Sequence, residues 1–162
     1  VEAAARLVRR HPRLHVLLLG GGPQDDVRAT ATRCGVEGRV TVHHAQGGAI
    51  DFLHEAAVGV LCSETEGLSN AVLEYMACAK PVVCYDLREH RYSAGEGALY
   101  AEADVVEDLA AKIELLLGDA PLRERMGAYN RERFLTQMAW EHNAGELIRA
   151  YEKLCGTRRA NG

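Results

Sequence analysis

Continuous apolar runs alternate with amphipathic segments along most of the chain. The runs LHVLLLGGG, VGVLCS and PVVCYD carry apolar residues at consecutive positions, as strands buried on both faces of a parallel sheet do. RVTVHH and GALYA are shorter strand candidates. Segments between them, such as LSNAVLEYMACAK, place apolar residues at helical spacing. This alternation predicts an α/β fold with a Rossmann-like, doubly wound parallel sheet of about five strands and flanking helices.

The two ends of the chain are both predicted to be helical. Three amphipathic segments follow the last strand, VVEDLAAKIELLLGD, APLRERMGAYNRERF and MAWEHNAGELIRAYEKLC, and the tail GTRRANG after them is expected to fray. At the start, VEAAARLVRRH opens without Met and already inside a helical pattern. We therefore expect residues 1–162 to form a single domain, cut from a longer protein and lacking the first strand of its sheet.

Composition narrows the class of protein. The chain has 162 residues, of which 48% are apolar and 26% are charged, and its net charge is -4, as expected of one soluble globular domain. Without a basic block, no nucleic-acid partner is expected. Five cysteines without CxxC spacing indicate reduced, mostly buried thiols in a cytoplasmic protein. No metal-ligand spacing is present, and the adjacent His43 and His44 point to opposite faces of a strand.

The stretch SETEGLSNAVLEYMACAKPVV places two carboxylates, Glu66 and Glu74, eight residues apart around a predicted helix start. Gly67 permits a tight turn, Ser69 suits an N-cap, and the N–H groups around Asn70 would bind a phosphate. Carboxylates on either side of a phosphate can accept hydrogen bonds from vicinal sugar hydroxyls, which indicates a nucleotide sugar. The spacing alone also fits a solvated loop acid and an exposed helix residue.

The sequence of this stretch resembles the signature of the family 4 (group 1) retaining glycosyltransferases, which have the GT-B fold. The matching residues include Ser63, Glu66, Gly67, Glu74 and Pro81. HPRLHVLLLGGGP, GRVTVHHAQ and the C-terminal helices extend the likeness over nearly the whole chain. The resemblance implies the C-terminal, nucleotide-sugar-binding half of a GT-B enzyme.

The resemblance also implies a role for each residue of the predicted site. Glu66 is the catalytic candidate and would contact hydroxyls of the transferred sugar, and Glu74 would bind the ribose. The loop and helix start would hold the diphosphate of a UDP- or GDP-linked donor, with no metal or other cofactor, and two histidines would lie near the base. The implied donor-binding residues are Gly67, Leu68, Ser69, Asn70, Glu74, His43 and His44.

Two departures from the family pattern affect these expectations. The strand that carries an Arg and a Lys for the diphosphate is absent, so weak phosphate binding is expected. After PVVCYD, the segment LREHRY stands where the family commonly has a glycine pair and a Glu, which makes an unusual loop.

For the complete enzyme, the resemblance implies polysaccharide or glycoconjugate synthesis in the cytoplasm, with peripheral membrane contact as one option. The acceptor, a sugar or a lipid-linked glycan, would bind the missing N-terminal domain, so these residues alone are expected to be inactive. Alternatives are a GT-B nucleotide-sugar epimerase or phosphorylase, and a noncatalytic α/β module that binds a nucleotide or a partner. A flavodoxin-like redox domain is a weaker alternative, because nothing marks a flavin site.

Overall fold

The computed structural model of the chain describes residues 1–21, 23–44 and 49–159. Its strands are β1 (Val16–Leu19), β2 (Val40–His43), β3 (Gly59–Leu61), β4 (Val82–Tyr85) and β5 (Ala98–Ala101). Its α-helices are α1 (Glu2–Leu7), α2 (Asp25–Arg33), α3 (Ala49–Glu55), α4 (Asn70–Ala77), α5 (Arg88–Ala94), α6 (Val106–Gly118), α7 (Ala120–Arg133) and α8 (Trp140–Arg159). Gly22 and Gln46 of the motif segments lie outside the described residues, as do residues 160–162 of the tail.

The strands form two parallel groups. β1 pairs with β2 in register Val16 to Val40, and the second group has the order β3-β4-β5. The α/β class, the parallel pairing and the five strands confirm the prediction. The described part of the chain contains no hydrogen-bonded pairing between β1 and β3, so the expected single sheet is interrupted between them.

Helices cover both faces of the second strand group, as in a doubly wound fold. Val83 and Tyr85 of β4 face a cluster built with α1, α6 and α7. Val82 and Cys84, at alternate positions, face a second cluster that includes residues of α4 and α5. All four residues of β4 are buried, as its continuous apolar run predicts.

Helix α7 connects the N-terminal ends of β4 and β5. Asp119 is the N-cap residue of α7, and its carboxylate accepts a hydrogen bond from the Leu122 N–H at 2.8 Å. Within α7, the fully buried Asn130 donates from its amide to the carbonyls of Lys80 and Gly97, both at 2.8 Å. These bonds join the approaches to β4 and β5, because Lys80 lies two residues before β4 and Gly97 directly precedes β5.

A π-helical turn, Phe134–Met138, joins α7 to α8. Several large apolar side chains of α8 are exposed, among them Trp140, Ile148, Tyr151 and Leu154. None of the helices described is both long and apolar enough to cross a bilayer.

Three local predictions need correction. The first helix ends at Leu7 rather than at residue 11, because two overlapping turns precede Pro12. The segment interpreted as a loop after β4 forms helix α5, whose buried His90 donates a hydrogen bond from Nδ1 to the Tyr85 carbonyl oxygen at 2.8 Å. All five cysteines are free, but only Cys78 and Cys84 are buried, while Cys62 and Cys155 are exposed.

Candidate functional site

The candidate site is built around the loop that connects the largely apolar strand β3 to helix α4. It runs over residues 62–69, and most of its side chains are exposed or half-buried. Leu68 is 54% exposed, whereas the neighbouring Ser69 is 4% exposed. The loop is therefore anchored at its helix end and open to solvent in front of it.

The N-terminus of α4 has free hydrogen-bond donors. Ser69 has the extended backbone of an N-cap residue, with φ -71° and ψ 116°, and its carbonyl accepts from the Leu73 N–H at 3.1 Å. Ser69 is thus the N-cap residue, as predicted, although its hydroxyl makes no capping hydrogen bond. Among the described residues, nothing accepts from the N–H groups of Asn70, Ala71 and Val72, which leaves these donors and the helix dipole to an anion.

The two glutamates lie on either side of this helix start in the chain. Glu66 is half-buried in the loop, and Glu74 is exposed on α4, about 6 Å along the axis from Asn70. Neither carboxylate forms a hydrogen bond or an ion pair with another residue that the structure describes. Both are therefore available as acceptors for a ligand. On the same helix, Val72 and Met76 are fully buried, whereas Ala71 and Leu73 are half-buried.

His43 and His44 lie at the carboxyl end of β2 and contact different helices. The His43 ring stands 4.7 Å from the Phe52 ring of α3, tilted by 58°. The His44 Nε2 accepts a short hydrogen bond from the side-chain amide of Gln24, which precedes α2. The opposite orientation predicted for the two rings agrees with these contacts. β2 and β3 belong to different strand groups, so the pairing of the sheet does not bring the histidines directly beside the glutamates.

Sequence reasoning missed two features beside this loop. The Tyr75 ring covers Gly59, where an added Cβ would lie 2.5 Å from the ring, and its hydroxyl donates to the Val60 carbonyl at 3.2 Å. After β4, Arg91 of α5 holds Asp86 with two hydrogen bonds and lies 4.5 Å from the centre of the Tyr100 ring. The sequence gives a signal for the first feature, because an aromatic residue directly follows Glu74. The sequence gives no signal for the second feature, because the segment that contains Arg91 was interpreted as a loop rather than as helix α5.

The ionisation of the groups near the loop follows from their surroundings. Hydrogen bonds from the Arg91 guanidinium hold the pKa of Asp86 below its usual range. Burial raises the pKa of the Cys62 thiol, and burial raises that of Cys84 to about 12. In the ranges that the structure covers, no three His, Cys, Asp or Glu side chains are grouped as a metal site would require.

The chain is similar to glycosyltransferases in sequence. It is 33% identical over 144 residues to the lipopolysaccharide core biosynthesis glycosyltransferase LpsE of Rhizobium meliloti, a match that covers 87% of this chain and 41% of that protein. It is 27% identical over 165 residues to the D-inositol 3-phosphate glycosyltransferase of Rhodococcus erythropolis, covering 94% of this chain and 37% of the relative. The chain thus spans about two fifths of the length of these relatives.

Its fold is shared with solved GT-B glycosyltransferases. Sucrose-phosphate synthase from Thermosynechococcus elongatus superposes with a TM-score of 0.85 at 22% identity, over 96% of this chain and 42% of that one. The HepE protein of Anabaena, solved in complex with UDP, gives a TM-score of 0.85 at 16% identity, over 94% and 43% of the two chains. These likenesses establish the fold.

A family model settles the relationship. The model described as glycosyl transferases group 1 matches residues 1–119, which contain all five strands and the complete loop between β3 and α4. The chain belongs to the group 1 glycosyltransferases.

Proposed function

We propose that this chain is the donor-binding half of an enzyme that transfers a sugar from a nucleotide sugar to an acceptor, and that the product keeps the anomeric configuration of the donor. One observation carries the proposal. Glu66 and Glu74 flank free N–H donors at the start of α4, beyond the carboxyl end of β3. In doubly wound folds, ligands bind in the crevice outside the carboxyl ends of the strands.

Each part of this loop has a chemical task in the proposal. The N–H groups around Asn70, with the backbone of Gly67, Leu68 and Ser69, hold the diphosphate at the positive end of the helix dipole. The Glu74 carboxylate accepts hydrogen bonds from the ribose hydroxyls. His43 and His44, at the end of β2, lie toward the base.

Sugar transfer proceeds through an oxocarbenium-like transition state, while negative charge grows on the leaving phosphate. The N-terminus of α4 is anchored by the buried Ser69 and Val72. Donors fixed in this way stabilise the charge as it develops without having to reorganise. The acceptor attacks the face that the phosphate leaves, and the phosphate takes the acceptor's proton. Glu66 positions the transferred sugar and forms no covalent bond to it.

Calorimetric titration of the chain with UDP, GDP and ADP tests the donor site. UDP is a reasonable first ligand because the structurally similar HepE protein was solved with it. We expect one nucleotide to bind, and Glu74→Ala to weaken its binding at least about tenfold, through the loss of hydrogen bonds to a charged acceptor. Glu64→Ala is the matched control, because Glu64 is an exposed acid of the same loop. Equal affinity in both variants would contradict the assignment of Glu74.

The role of Glu66 is tested in the longer enzyme. Glu66→Ala should remove most of the turnover while nucleotide binding persists, because this carboxylate is assigned to the sugar and not to the nucleotide. Normal turnover would overturn the assignment. We also propose that this chain shows no transferase activity alone, since the acceptor site lies in a domain outside these residues. Acceptor glycosylation by the isolated chain would contradict that statement.

The remaining proposals concern the complete enzyme. We place it in the cytoplasm, in the synthesis of a polysaccharide or glycoconjugate, as an enzyme that needs no metal. A noncatalytic binding module remains the competing function. It predicts that no nucleotide binds either to this chain or to the longer enzyme and that Glu74→Ala changes nothing, so titration of both separates it from a working donor site.

A further inference from the structure

Two adjacent histidines at the end of β2 are held in different ways. His43 is the last residue of the strand, and its ring stands 4.7 Å from the Phe52 ring. His44 follows directly, and its Nε2 lies 2.5 Å from the side-chain nitrogen of Gln24. The His44 ring is thus held by a polar side chain, and that contact defines where its hydrogen lies.

Arg28 fixes the orientation of the Gln24 side chain. Gln24 is the N-cap residue of α2, and the Arg28 Nη2 donates to its Oε1 at 2.8 Å. A guanidinium group has only hydrogen-bond donors, so it can face the oxygen of the amide but not the nitrogen. The Gln24 NH₂ group is therefore directed to the other side, where the His44 ring lies.

Gln24 in turn determines which nitrogen of His44 carries the hydrogen. The amide NH₂ can only donate, so the His44 Nε2 must accept and carries no hydrogen. In a neutral imidazole the hydrogen is then on the other nitrogen, Nδ1. Among the residues that the structure describes, none accepts from this Nδ1–H, and the His44 side chain is exposed. The contacts from Arg28 through Gln24 to His44 thus leave a defined N–H donor open to a ligand.

This donor lies at the edge of the sheet where the proposed function places the base. The Gly20 N–H donates to the His43 carbonyl at 3.2 Å, so the segments that leave β1 and β2 run side by side. Gln24 follows β1 and His44 follows β2, so both side chains come from the carboxyl ends of paired parallel strands. Ligands of doubly wound folds bind outside these ends.

Nucleobases differ in the group that they present to such a donor. Uracil carries a carbonyl oxygen where cytosine carries an amino group, and guanine carries one where adenine carries an amino group. An Nδ1–H donor bonds the carbonyl, whereas against the amino group two donors would meet and neither would have an acceptor. A site with this donor therefore rejects the amino base, because binding it would leave polar groups unpaired.

We propose that His44 selects a donor nucleotide whose base carries the carbonyl group, uracil or guanine. Gln24 and Arg28 are positioning residues in this proposal, since they hold the His44 hydrogen on Nδ1 and do not themselves contact the base. The inference rests on the proposed function, because it assigns a task to the base end of the same donor site.

Titration of the chain and of the longer enzyme with UDP and CDP tests the selection. These nucleotides share the ribose and the diphosphate and differ in the carbonyl or amino group of the base, and GDP and ADP form the corresponding purine pair. In the pair that contains the tightest ligand, we expect the carbonyl base to bind at least about tenfold more tightly than the amino base.

Gln24→Leu removes the amide that holds the His44 ring, so the preference for the carbonyl base should fall at least about threefold. Gln137→Leu is the matched control, because Gln137 also accepts from an arginine four residues away, the Arg133 Nη1 at 2.7 Å, but lies in the π-helical turn after α7. The control should keep the full preference. An unchanged preference in Gln24→Leu would overturn the proposal.

The titrations separate failure of this inference from failure of the proposed function. Equal affinity for the two members of the tighter pair, or tighter binding of the amino base, would overturn selection by His44 and leave the donor site intact. If none of the four nucleotides bound to the chain or to the longer enzyme, the proposed function would fail and selection by His44 would fail with it.

Nitrogen NMR of the histidine rings provides a readout that needs no nucleotide. The His44 signals are identified by their loss in His44→Gln, and in the neutral ring they should show the hydrogen on Nδ1. In Gln24→Leu part of the population should move to the form with the hydrogen on Nε2, while Gln137→Leu should leave the signals unchanged. Hydrogen on Nε2 in the unsubstituted chain would contradict the proposal, because Nδ1 would then be an acceptor.

Discussion

The two strand groups of this fold differ in how completely their apolar surfaces are covered. In the group β3-β4-β5, two helical layers bury the central strand, and α7 fixes the approaches to β4 and β5 through Asn130. In the group β1-β2, the strands are half-buried, and a cavity of about 280 Å³ lies between α2 and β2, lined in part by Val27, Val40 and Val42. Similar apolar runs thus end in different environments, because burial depends on neighbours that a run cannot specify.

The candidate site lies at the border of these two groups. Glu66 and the start of α4 belong to the well-packed group, whereas His43 and His44 belong to the open one. The rigid half would therefore supply the charge-stabilising donors, and the looser half would accommodate the base. Four experiments test whether the two strand groups differ in packing.

The largest effect is expected at the contact between α7 and the end of α4. A Cβ at Gly127 would lie 2.2 Å from the Ala79 carbonyl oxygen, a backbone atom that cannot swing aside. Gly127→Ala should lower the free energy of unfolding by about 3 kcal/mol in urea titration, although Ala is the better helix former. At the control position Gly118, nothing lies within 4 Å of an added Cβ, so Gly118→Ala should be neutral or stabilising. A stabilised Gly127→Ala variant would contradict the close packing.

A matched pair of truncations compares the cores directly. Val83 of β4 is fully buried against α1 and α6, and Val83→Ala should lower the free energy of unfolding by about 2–3 kcal/mol. Val42 borders the cavity beside α2, so the same truncation should lower stability by only about 1 kcal/mol. Both losses of unfolding free energy are measured from urea unfolding curves. Equal losses would show that the β1-β2 group is as tightly packed as its neighbour.

A smaller gain is expected where the well-packed group carries strain. Ala79 follows α4 with φ 55°, and the Lys80 N–H bonds back to the Tyr75 carbonyl at 2.9 Å, a C-cap that usually contains glycine. Ala79→Gly should raise stability by about 0.5 kcal/mol, because relief of the left-handed strain exceeds the added chain entropy. Ala77→Gly, at the last residue of the helix, should lower stability by at most about 1 kcal/mol. Destabilisation by both variants would argue against the strain.

The smallest effect concerns the exposed pair after β4. Hydrogen bonds from Arg91 lower the pKa of Asp86 in the folded chain. The stability contributed by this carboxylate is therefore complete above its unfolded pKa of about 3.9 and is lost as the pH falls through the lower, folded value. Arg91→Ala should raise the Asp86 pKa measured by NMR titration and flatten the acid limb of the stability curve. An unchanged pKa would show that the pair does not persist in solution.

The strands and the main helices could be predicted because their signals are local. Five apolar or alternating runs and the helical spacing of segments such as 105–119 are properties of consecutive residues. Helix α5 escaped prediction because its residues, REHRYSA, show no apolar periodicity, and it is held by the buried His90, Ser93 and Ala94. The exposure of Cys62 was also missed, because it depends on the residue at which β3 ends.

The sequence by itself determined the α/β class and the position of the two glutamates relative to a helix start, because these follow from periodicity and spacing along the chain. The family was indicated by the resemblance of residues 63–83 to a known signature. Only the tertiary structure decided that the Ser69 hydroxyl makes no capping hydrogen bond, that His43 and His44 contact different helices, and that a break separates β1 from β3. These features depend on contacts between residues far apart in the chain. Such contacts depend on how the elements pack and on which backbone groups form hydrogen bonds. A short stretch of sequence does not specify either.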